Sequence, residues 1–252
     1  KIADPVDRPV VLDARMTADF RSAHIPGARG FDWQELTITD TNEIPYRLPE
    51  PEQLASILSS AGADNLSTII VYGSGRESWG GEGWTVWVLS WLGHKGRIYL
   101  LKGGWKAWTQ KGFPAEPAVD PPAPASAEYH YELNPDIFAG LKDLQAADAY
   151  LVDTRTFFER VRGTIPGSIG ISWKNFFQKD GVTPIGREDF ARIMAKNGIE
   201  PGKPVIYYCT GGIRSAWVWL VHCMNEYGPA RNFEGSIELW QFMKEKKDLP
   251  AN

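Results

Sequence analysis

Short apolar runs alternate with stretches of helical periodicity along the whole chain. In the first half, residues 9–13 (PVVLD), 68–72 (TIIVY) and 97–101 (RIYLL) read as buried strands. Between and after them, residues 52–61, 84–92 and 105–111 space their apolar positions as helices do. The second half repeats the alternation, with helices predicted over 187–197, 215–227 and 237–246 and a strand over Val205–Tyr208. Short apolar strands separated by helices predict an α/β fold, a parallel sheet with helices on both faces, and ligands beyond the carboxyl ends of the strands.

Landmarks in the first half recur in the second. Asp13-Ala14-Arg15 returns as Asp153-Thr154-Arg155, Ile25-Pro26-Gly27-Ala28 as Ile165-Pro166-Gly167-Ser168, and Gly103-Gly104-Trp105 as the segment Glu234-Gly235-Ser236-Ile237-Glu238-Leu239-Trp240. A period of roughly 130 to 140 residues is domain-sized, so it marks duplicated domains rather than a solenoid. A proline-rich stretch containing Pro114, Pro117, Pro121, Pro122 and Pro124 precludes a helix and favours an extended, stiff strap. The predicted division is therefore domain 1 over 1–116, a linker over 117–128 and domain 2 over 129–252.

The strand at Val205–Tyr208 delivers Cys209 into the segment Thr210-Gly211-Gly212-Ile213-Arg214, and a helix follows from Ser215. Loop N–H groups and a helix N-terminus converging on one sulfur favour an anion, lower a thiol pKa and make a nucleophile. The paired glycines let the backbone turn its amides inward at little steric cost.

Composition narrows the function classes. The 252 residues suit two domains; 43% hydrophobic and 23% charged content is ordinary for a soluble globular protein. A net charge of -4 argues against a nucleic-acid surface, and no run of about 18 apolar residues exists to span a membrane. Both cysteines lie in the second half, which excludes a disulfide framework. Cys223 falls nine residues beyond Arg214 on the same predicted helix, about 13 Å along its axis, so it is assigned to the core rather than to a partnership with Cys209. The four histidines show no ligand spacing, and no metal or other cofactor is assigned. Trp84, Trp87, Trp91, Trp105 and Trp108 recur at helical spacing and are read as core or interdomain packing. The chain opens at Lys1 without methionine, close to its first strand, so an N-terminal piece is expected to be missing and the compartment stays open between cytoplasm and periplasm.

Taken together, Asp153-Thr154-Arg155 with Glu159, the turn Gly163-Thr164-Ile165-Pro166-Gly167-Ser168, the six residues Cys209–Arg214 and the closing segment 234–240 resemble the rhodanese family of sulfurtransferases, in its tandem-domain form. Thr164 stands where that family usually has histidine. The resemblance implies two rhodanese-like domains and transfer of a sulfane sulfur, from a donor such as thiosulfate to cyanide or a thiol, through a persulfide on Cys209. Residues Thr210, Gly211, Gly212, Ile213, Arg214 and Ser215 would cradle it. Where the second copy has Cys209, the first has Gly73 or Ser74, so domain 1 is expected to be catalytically silent. Arg214 is assigned either to an anionic donor or to a tie with Asp153 or Glu159, and Arg155 to a structural pair with Glu159. Trp33 is expected near the partner domain, where it would wall the pocket.

Thr210-Gly211 replaces an Arg-Lys pair found in some thiosulfate-using tandem members, and Arg214 departs from the mercaptopyruvate branch, so 3-mercaptopyruvate and protein persulfides remain alternative donors. Cysteine phosphatases share the strand, loop and helix, but place five residues between cysteine and arginine; this chain places four, Thr210 to Ile213. A third alternative makes domain 1 a partner-recognition module and domain 2 a sulfur shuttle. The expected partners are a small donor and acceptor or a sulfur-carrying protein, with no nucleic acid and no membrane, for a chain expected to be a monomer.

Overall fold

The computed structural model describes residues 9–117, 127–145 and 148–246. Packing divides the chain into two units, Lys1–Leu36 with Pro49–Asn134, and Thr37–Leu48 with Pro135–Asn252. This differs from the division suggested by the sequence: residues 37–48 pack with the second unit, and 129–134 with the first. Most of the proposed linker, 118–126, lies outside the described residues.

The first unit contains β1 (Val10–Asp13), α1 (Thr17–Ser22), β2 (Arg29–Gly30), α2 (Trp33–Leu36), α3 (Pro51–Ser60), β3 (Ile69–Tyr72), α4 (Gly81–Trp91), β4 (Ile98–Leu100) and α5 (Gly104–Gln110). Its sheet runs β2-β1-β3-β4, all neighbours parallel. Helix α3 has proline at its start, where a missing N–H costs nothing, and buries Leu54, Ala55 and Leu58 along one stripe. Helix α4 is buried on every side over its first nine residues, and Trp84 and Trp87 belong to the core as their spacing predicts.

The second unit contains β5 (Phe138–Ala139), β6 (Tyr150–Asp153), α6 (Phe157–Arg160), β7 (Ile169–Gly170), α7 (Arg187–Lys196), β8 (Val205–Tyr208), α8 (Ile213–Met224), β9 (Ala230–Phe233) and α9 (Ser236–Glu245). Its sheet order is β5-β9-β8-β6-β7, again all parallel. Every residue of the central strand β8 is buried, which explains its unbroken apolar run. Among the described residues, no helix is long and apolar enough to cross a membrane.

The repeated Asp-x-Arg segments fold alike. Arg15 pairs with Asp13 at 2.6 Å and donates to the carbonyl of Ala23, while Arg155 pairs with Asp153 at 2.7 Å and donates to the carbonyl of Gly163. Each arginine thus pins a turn to the end of a strand. The expected pairing of Arg155 with Glu159 is corrected: Asp153 sits two residues away at the strand end and takes the guanidinium on both oxygens, whereas Glu159 pairs with Arg214.

Candidate active site

Strand β8 ends at Tyr208 and delivers Cys209, 1% exposed, to the carboxyl edge of the sheet. The turn that follows is shorter than the sequence suggests. Gly212, at φ +87, passes directly into α8, so Ile213, Arg214 and Ser215 belong to the helix's first turn instead of preceding it. A helix of twelve residues therefore points its N-terminus at the sulfur.

The main chain of Cys209 is fixed on both sides. Its N–H donates to Ser236 Oγ at 3.0 Å, and its carbonyl accepts the N–H of Ile237 at 3.2 Å. Ser236 holds a left-handed φ of +50, which a residue with a Cβ adopts at a cost; its hydroxyl bridges Cys209 N–H and the carbonyl of Phe233. Its counterpart in the first unit, Gly104, has φ +54.

Around Sγ the donors converge. The Ser215 hydroxyl lies 3.6 Å away, and the N–H groups of Gly211 and Ser215 hydrogen-bond the sulfur. Burial pushes the thiol up, but the Arg214 charge together with these donors holds it below its ordinary value.

Arg214 is itself tied down by Glu159, Nη1 to Oε2 at 3.0 Å and Nη2 to Oε1 at 2.8 Å, and by the Thr210 hydroxyl at 2.5 Å. Glu159 also closes a capping box on α6, accepting the N–H and hydroxyl of Thr156. Partial burial raises its carboxyl, but Arg214 and Thr156 overcome this and bring it down to about 2. Of the two ties open to Arg214 from sequence, the structure has the one to Glu159.

Three groups at this site gave no sequence signal. The segment 37–48 turns back on itself, Ile38 bridging Arg47, and belongs to the second unit. Tyr46, at φ +64, lies against Gly211: a Cβ built on that glycine would sit 2.4 Å from the tyrosine Cβ. Arg47 pairs with Glu234 at 2.5 Å, and the N–H of Leu48 donates to the same carboxylate at 2.7 Å. Glu234 is 3% exposed and its carbonyl would be 2.6 Å from a Cβ on Gly212, so this buried cluster backs the turn after Cys209.

One assignment needs correction, and Trp33 can be placed within its own unit. Cys223 is exposed, not core, because it falls on the outer side of the last turn of α8. Trp33 starts α2, is 8% exposed, and packs in the first unit against Gly81.

Matches to the rhodanese-like domain cover residues 2–111 and 138–242. Similar proteins include a putative thiosulfate sulfurtransferase of Haloferax volcanii (29% identity, 94% of this chain and 86% of that protein) and the 3-mercaptopyruvate sulfurtransferase of Escherichia coli K12 (26%, 99% and 95%). A Thermus thermophilus protein named sulfur carrier protein TtuD is 25% identical over 95% of this chain and 89% of its own length. In fold, the chain matches the Escherichia coli 3-mercaptopyruvate sulfotransferase SseA with a TM-score of 0.77 at 23% identity, covering 92% of this chain and 93% of that one. It also matches EanB with a TM-score of 0.82 at 23% identity, covering 100% of this chain but 65% of EanB. The chain belongs to the rhodanese family, with two rhodanese-like domains, and is a sulfurtransferase.

Proposed function

We propose that this sulfurtransferase carries sulfur as a persulfide on Cys209. The observation that carries this reading is the convergence on one buried Sγ of two backbone N–H groups, the Ser215 hydroxyl, the start of α8 and the charge of Arg214. These groups stabilise a thiolate before transfer and a charged terminal sulfur after it. The thiolate attacks the outer sulfur of thiosulfate; the S–S bond breaks and its electron pair leaves with sulfite. A nucleophile such as cyanide then attacks the outer sulfur, leaves as thiocyanate, and returns the thiolate. With 3-mercaptopyruvate as donor, the C–S bond breaks and its electron pair leaves with the carbon, which takes a proton to become pyruvate. The relatives' names support either donor. Thr210 and Gly211 bring no charge and Glu159 pairs with Arg214, so the turn does not select one donor by charge, and the ratio of kcat/KM for the two donors decides between them.

A protein acceptor or donor is favoured by one surface feature. Phe157, Phe158 and Val161 are 65%, 81% and 70% exposed, on and just after the short helix that supplies Glu159 to the turn. Phe158→Ser is expected to leave transfer to cyanide intact and to slow transfer to a protein thiol.

Steady-state kinetics test the two-step scheme: varying thiosulfate at several cyanide concentrations is expected to give parallel double-reciprocal lines, and intersecting lines would contradict a covalent intermediate.

A further inference from the structure

The first unit lacks a cysteine, but its equivalent of the catalytic turn is not empty. Gly73 follows β3 as Cys209 follows β8, and its carbonyl accepts the N–H of Trp105 at 2.9 Å, as that of Cys209 accepts Ile237. This settles Gly73, rather than Ser74, as the counterpart of the cysteine. The glycine is not required by its backbone, since it has no positive φ. It is required by its neighbour. A Cβ built there would lie 2.4 Å from Glu82 Cδ and 2.5 Å from Oε1.

Glu82 is the second residue of α4, as Arg214 is the second residue of α8, but the two side chains take different partners. Arg214, 7% exposed, pairs with Glu159. Glu82 turns in, 2% exposed, with Oε1 accepting the N–H of Gly75 at 2.7 Å and Oε2 the hydroxyl of Ser78 at 3.1 Å. The carboxyl group thus takes the N–H of Gly75, which stands two residues after Gly73 as the sulfur donor Gly211 stands two after Cys209, together with a loop hydroxyl. The longer turn, residues 73–80 against 209–212, is closed by hydrogen bonds from Ser74 N–H to Ser78 and from Gly80 N–H to the Gly75 carbonyl.

We infer that the first unit retains an anion-binding cradle for a small carboxylate or oxyanion, and that the chain occupies it with its own Glu82. On this account the first repeat is plugged as well as lacking its nucleophile, and a cysteine restored at position 73 would have no room.

The test uses the full chain and its thermal midpoint. Gly73→Ala should lower the midpoint of the otherwise unchanged protein by about 3 to 8 °C, from the steric clash alone. In a Glu82→Ala background the same change should cost almost nothing, a coupling read by the double-mutant cycle. Glu82→Gln keeps the bulk and should keep the full Gly73→Ala penalty. Acetate or sulfate should raise the midpoint of Glu82→Ala more than that of the parent at ionic strength matched with chloride. Should Glu82→Ala not fold unaided, refolding in acetate should recover it. Additive penalties, equal responses to acetate and chloride, or failure of acetate to recover an unfolded variant would each overturn the inference.

Discussion

Arg214 grips both carboxylate oxygens of Glu159, at 3.0 and 2.8 Å, while its charge also acts on the sulfur of Cys209. One arginine therefore fixes the turn after Cys209 and helps lower the pKa of its thiol. Arg214→Gln is expected to raise the thiol pKa, moving the acid limb of the pH–rate profile upward, and to lower kcat about tenfold to a hundredfold. Glu159→Gln keeps the shape but frees the positive charge, so its acid limb should stay put or move down. Opposite shifts in the two variants distinguish charge from packing.

The same pair gives the fold an acid-sensitive element. Glu159 titrates near 2 in the folded chain against an ordinary 4.5, so its stabilising contribution is present above 4.5 and is lost as pH falls through about 2. His222 acts in a higher window. Its Nε2 faces the carbonyl of Gly228, which only accepts, so Nε2 carries the proton and Nδ1 accepts from the Tyr207 hydroxyl at 2.7 Å. Burial lowers its pKa to about 4 from 6.5, so stability from the neutral ring is complete above 6.5 and is lost as pH falls through about 4. Urea denaturation at a series of pH values should show the midpoint falling between pH 6.5 and 4, and His222→Gln should flatten that slope.

Ser236 trades backbone ease for a hydrogen bond. Ser236→Ala keeps the left-handed φ and strands the N–H of Cys209, whereas Ser236→Gly relieves the backbone but loses the same bond. The glycine variant should be more stable than the alanine variant by about 1 kcal/mol, and both should lose turnover because the cysteine is less firmly held. Chemical denaturation and kcat, measured on the same three proteins, separate the two effects.

Tyr46 and Arg47 set a further expectation. Gly211→Ala forces its Cβ into Tyr46, so it should lower activity in the parent and be better tolerated alongside Tyr46→Ala. Arg47→Ala leaves Glu234 buried without its cation, and should cost about 3 kcal/mol of stability. A fragment beginning at residue 129 lacks the whole 37–48 segment and should share that defect.

Contiguous features were the legible ones. Strand, cysteine, glycines, arginine and serine lie within eleven residues, and the apolar run of β8 is unbroken, so the turn could be read as a unit. The helix start was placed late because a glycine at φ +87 enters the helix directly, a conformation that the residue string does not display. Strand β9, Ala230–Phe233, was missed because Arg231 and Asn232 break its apolar run, and two-residue strands such as β7 are too short to show a period. The partners most distant in sequence were invisible: nothing in the residues around Tyr46 or Arg47 announces a contact with Gly211 or Glu234. Arg155 was given the wrong carboxylate because two acids lay within reach in sequence, and only the strand end selects Asp153.

Intact mass of the full chain after incubation with thiosulfate tests the central claim most directly. The parent and Cys223→Ser are expected to gain one sulfur, removed again by cyanide as thiocyanate, while Cys209→Ser stays folded and gains none. A sulfur retained on Cys209→Ser, or lost with Cys223→Ser, would contradict the assignment of Cys209 as the sulfur carrier.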